Sequence, residues 1–143
     1  MDIMQGTSSV KSGGLSVLGL RGRQLWVPVL AGVGLWFTAA LLIGALRGAG
    51  LMQGAALAGV YGLGAMISVV SVPVIVWAAG LVRGQALPAV AIGLGLAMAL
   101  DGLALVLASG LYGGPGPGHA EAGALILWGA AWFLFTAMWL DSK

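Results

Sequence analysis

An all-α, integral-membrane four-helix bundle is the fold this sequence predicts, on three observations. Of its 143 residues, 60% are hydrophobic and 7% charged, whereas a soluble domain covers its surface with about a quarter charged residues. The apolar residues gather into four runs, each long enough to cross the ~30 Å hydrocarbon layer, which takes roughly 20 helical residues. Every charged residue except Asp101 falls outside those runs.

Residues 1–24 read as a polar tail with Lys11, Arg21 and Arg23, and residues 25–143 as the membrane domain. The first helix is expected over 26–46, ending at Arg47-Gly48. Its apolar stretch exceeds the ~7–15 residues of a signal peptide, and Ala45-Leu46-Arg47 is a poor cleavage site, so it is read as a retained span. The second, over 52–82, is longer than a span needs and contains Pro73, which points to tilting, a kink, or a few interfacial residues at its start. The third, over 88–112, opens on Pro88, a residue tolerated in the first helical turn. Gly113-Gly114-Pro115-Gly116-Pro117-Gly118 reads as a turn-rich link, and the fourth helix follows over 122–140.

Four spans put the tail, the Arg83 loop and the C-terminus on one side. That side carries Lys11, Arg21, Arg23, Arg83 and Lys143, against Arg47 alone on the other. Positive charge stays inside, so both termini are expected in the cytoplasm. Trp26, Trp77 and Trp139 fall near the same ends of their helices, where indoles prefer the interface.

Asp101 is the one deep charge. A carboxylate near the bilayer centre costs roughly 2.5–3.5 kcal/mol on insertion scales, and so faces the bundle interior and takes a partner. Ala89, Gly93, Ala97, Ala104 and Ala108 form a small-residue stripe on the third helix, with Asp101 in its gap. Such stripes let helices pack closely in lipid, which turns Asp101 inward. At ~1.5 Å per residue, Asp101 lies ~16 Å below the outer rim, Thr38 ~13 Å, Tyr61 ~14 Å and Trp132 ~15 Å, with Ser68 deeper. Asp101, Thr38, Tyr61, Ser68 and Trp132 are therefore the expected intramembrane polar cluster, with hydroxyl and indole donors facing the carboxyl. No Lys or Arg shares that depth, and Arg47 at the rim is the nearest cation.

Several function classes fall away. A net charge of +2 is too small for a nucleic-acid partner, and the absence of cysteine excludes disulfides and thiolate chemistry. His119 and Glu121 are two ligands, which do not make a metal site, and read as solvated loop residues. No Ser/His/Asp arrangement, phosphate loop or haem pair can be assembled, so no catalytic residue, metal, cofactor or enzymatic activity is expected.

Leu35-Trp36-Phe37, Gly44-Ala45-Leu46-Arg47-Gly48, Leu100-Asp101-Gly102-Leu103 and the aromatic fourth helix from Leu125 to Trp139 resemble a family of small bacterial four-span membrane proteins of unassigned function. The resemblance covers residues 25–139. It implies a multi-pass protein of the bacterial inner membrane and lends weight to Asp101, without transferring an activity. The chain is also similar in layout to the small multidrug resistance transporters. Those carry their acid in the first helix, and here that helix has none, which argues against drug–proton antiport.

Two functions follow as expectations. One is an accessory or structural membrane subunit or homo-oligomer, with Asp101 clamping helices. The alternative is a small proton- or cation-coupled transporter in which Asp101 titrates. Expected partners are the lipid bilayer and a second copy or another membrane protein.

Overall fold

The structure, a computed structural model, describes residues 20–116 and 118–143. Lys11 and most of the polar tail lie outside the described residues. Four long helices follow in order: α1 (Arg23–Gly48), α2 (Gly54–Ala79), α3 (Ala86–Leu107) and α4 (Gly118–Ser142), with a short 3-10 helix, η1 (Ser109–Tyr112), after α3. All four are long and apolar enough to cross a membrane. They form an all-α, multi-pass bundle.

Helix limits have local causes. Pro28 lies in the second turn of α1, past the first-turn positions that lack helical partners, so it leaves the Gln24 carbonyl without its helical N–H while the helix runs on. Helix α2 runs through Pro73 without ending and stops at Gly80, whose φ of 65° is left-handed. That position suits a glycine as a helix stop. The largest departure from expectation is at α3, which ends at Leu107 rather than 112. Ser109 and Gly110 are weak helix formers, and the chain turns into η1 and then into left-handed Gly113 at φ 86°. Helix α4 begins four residues earlier than the apolar run, so His119 and Glu121 stand in its first turn.

Around the bundle the neighbours are α1–α3, α3–α4, α4–α2 and α2–α1, leaving α2 and α3 diagonal although they are consecutive in sequence. The most extensive contacts join helices that run the same way, α1 with α3 and α2 with α4. The α1–α3 approach is made by glycine. A Cβ on Gly32 would strike the carbonyl of Gly93, and a Cβ on Gly93 would strike that of Pro28. Helix association in lipid relies on van der Waals packing, and small residues bring backbones into contact. Ala89, Gly93, Ala97, Asp101 and Ala104 are all buried, so the stripe is the packing face. Ala108, its last expected member, lies past the helix and is exposed.

Both ends are tied. At one, Asp141 near the end of α4 accepts from the backbone N–H groups of Gly84 (2.9 Å), Ala86 (3.1 Å) and Leu87 (2.8 Å). It caps the start of α3, where N–H groups lack helical partners and the dipole favours an anion. Beside it, Gln24 donates to Gln85 (2.9 Å) and Arg83 to the Ser142 carbonyl (3.1 Å). At the opposite end α1 meets η1, with Gly44 against the Leu111 carbonyl.

Candidate functional site

The site is built where η1 folds back over the end of α3. Asp101 is 9% exposed and sits about 9 Å before the end of α3, counting six residues at ~1.5 Å each. Tyr112 is fully buried. Had α3 continued, Tyr112 would stand at its rim; the break after Leu107 points it inward, and its hydroxyl donates to Asp101 Oδ1. Trp36 on α1 donates its Nε1–H to the Tyr112 hydroxyl oxygen at 3.2 Å. Indole N–H is a donor only. The direction of the chain is thereby set, Trp36 to Tyr112 to Asp101, and each bond polarises the next toward the carboxyl.

Arg47 holds this turn in place. Its Nη1 donates to the carbonyls of Tyr112 (3.1 Å) and Gly114 (2.7 Å). The side chain lies so close to the link that a Cβ on Gly118 would come within 2.6 Å of Nε. The glycines of this segment are what let an arginine pass against backbone, and Gly113 also needs its positive φ. Arg47 therefore satisfies rim carbonyls and fixes the position of Tyr112.

Of the expected cluster, Asp101 and Ser68 line one cavity, of about 160 Å³, between the four helices. Ser68 is buried, yet its Oγ donates to Gly64 O of its own helix at 2.9 Å. Thr38 is exposed and likewise donates to Gly34 O at 2.9 Å. Tyr61 and Trp132 join an aromatic row, with Tyr61–Trp128 and Trp128–Trp132 centroids both 5.8 Å apart, and Trp128 Nε1 donates to the Tyr61 carbonyl at 3.1 Å. Among the described residues none of these four hydrogen-bonds to Asp101. For Ser68 and Thr38 the reason is general: depth puts groups in one layer, but a helix hydroxyl can be satisfied by the carbonyl four residues back and need not face the bundle.

Tyr112 and Trp36 are the partners that depth counting missed. The signal for Tyr112 was Ser109-Gly110 followed by Gly113-Gly114, a helix-stop pattern inside the apolar run. His119 also differs from expectation. It is half-buried, with Nε2 donating to the Leu105 carbonyl at 3.0 Å, while its Nδ1 and Glu121 Oε2 are buried without partners among the described residues. Among the described residues no three His, Cys, Asp or Glu side chains are grouped to hold a metal ion. Comparison with family models, curated proteins and solved structures finds no match for this chain.

Proposed function

We propose that this protein is a structural or accessory subunit of a bacterial inner membrane, with both termini cytoplasmic, in which Asp101 is a helix clamp. The observation that carries the reading is the closed bond chain from Trp36 through Tyr112 to Asp101, which joins α1, η1 and α3. A carboxyl tied to side chains of its own bundle offsets its insertion cost by fixing packing. The exposed Trp26, Trp77 and Trp139 belong to the Arg83 end, where Lys143 also lies 4.3 Å over the Trp139 ring, and this agrees with a positively charged cytoplasmic face.

Asp101→Asn and Asp101→Leu separate the clamp from a titrating carrier. The amide can still accept the Tyr112 hydroxyl, so Asp101→Asn keeps the native particle on size exclusion and its thermal midpoint, while Asp101→Leu lowers both. A silent Asp101→Leu overturns the clamp. The second reading, a proton- or cation-coupled carrier, is favoured by the cavity at Asp101. It predicts liposome transport that Asp101→Asn abolishes.

A further inference from the structure

The cavity is apolar apart from Trp36, Ser68 and Asp101. Trp36 and Ser68 have already placed their donors, on Tyr112 and on Gly64 O. Asp101 has not finished accepting. Tyr112 occupies Oδ1, and among the described residues Oδ2 has no hydrogen bond. Because the indole fixes the tyrosine proton toward the acid, every protein donor in the chain points at the carboxyl. Arg47 is engaged with the carbonyls of Tyr112 and Gly114. The unmet requirement is thus a hydrogen-bond donor, and an ammonium supplies one whose charge complements an ionised carboxylate. A carboxylate facing a low-dielectric cavity attracts such a group far more strongly than water would allow.

Size and access narrow the occupant further. A cavity of about 160 Å³ compares with an engineered pocket of about 150 Å³ that takes up benzene. Leu42 on α1, Leu63 and Ile67 on α2 and Met98 on α3 line it and are also more than a third exposed, so part of its wall reaches the lipid-facing surface. We propose that this cavity binds a lipophilic primary amine from the bilayer, its ammonium on Asp101 and its ring or short alkyl body among the apolar residues. This goes beyond the clamp: Oδ1 keeps α1, η1 and α3 together, and Oδ2 receives the ligand.

The test uses the full chain in lipid nanodiscs, with benzylamine and its neutral isostere benzyl alcohol as probes, each read by saturation-transfer NMR and titrated for affinity. The expected result is at least ten-fold tighter binding of the amine, and loss of that preference in Asp101→Asn. Ala39→Phe, at an exposed lining position, fills the entrance and is expected to remove both probes without lowering the thermal midpoint. Equal binding of amine and alcohol to the native protein overturns the proposal and leaves an acyl-chain pocket. Retained amine preference in Asp101→Asn overturns it as well. Should Asp101→Asn unfold, Ala39→Phe decides: undiminished amine binding there places the ligand elsewhere.

Discussion

Tyr112 is a buried hydroxyl serving two neighbours at once, as acceptor for Trp36 and donor to Asp101. Removing it strands both. Tyr112→Phe leaves a buried carboxyl oxygen and an indole N–H unpaired, and a cost of about 1–3 kcal/mol is expected. Thermal unfolding in detergent, followed by near-ultraviolet circular dichroism, checks it. Trp36→Phe strands only the tyrosine lone pair and should cost less, about 1 kcal/mol. If the two variants cost the same, the directional chain is wrong. Among residues, Asp101 could be read directly, because one charge in a run of apolar residues has no camouflage. Tyr112 was hidden by the assumption that its run is one helix, and Trp36 by being one of six tryptophans.

At the scale of elements, two devices hold the helices in register. Gly93 has no room for a side chain against Pro28, so Gly93→Ala must push α1 and α3 apart. Overpacking of this kind costs about 1–3 kcal/mol. The thermal midpoint should fall, whereas Gly95→Ala, with open space around its Cβ position, should leave it unchanged or raise it. Asp141 caps α3 from the far end of the chain. Asp141→Ala removes the acceptor of three N–H groups, and the loss of a cap is worth about 0.5–2 kcal/mol. Hydrogen exchange at Gly84, Ala86 and Leu87 should quicken, with Asp101 and Tyr112 on the opposite side of the bundle undisturbed. The stripe on α3 was legible because small residues at helical spacing mark a packing face. The cap was not, since Asp141 and Leu87 are far apart in sequence and meet only when α4 returns beside α3.

For the whole molecule, the arrangement puts Arg21, Arg23, Arg83 and Lys143 at one end and Arg47 at the other. Trp26, Trp77 and Trp139, exposed at the first end, should be quenched most strongly by lipids brominated near the headgroup. Reporter fusions at the N- and C-termini are expected to give the same, cytoplasmic, signal. A split signal rules out the four-span topology itself. Moving charge tests the orientation: Arg83→Glu with Lys143→Glu weakens the inside bias and is expected to produce a mixed population.

Hydrophobicity, length and charge placement by themselves determined the number of spans, their order and the existence of a deep acid needing a partner. These are properties of single helices in lipid, where each span must satisfy its own backbone and hide its own charge. Only the tertiary structure decided which groups meet that acid. Helix rotation and neighbour order come from packing between glycines on α1 and α3, and the inward turn of Tyr112 comes from a helix break latched by Arg47 across a glycine-rich link. Those choices depend on residues distant in sequence whose atoms touch only after all four helices have assembled.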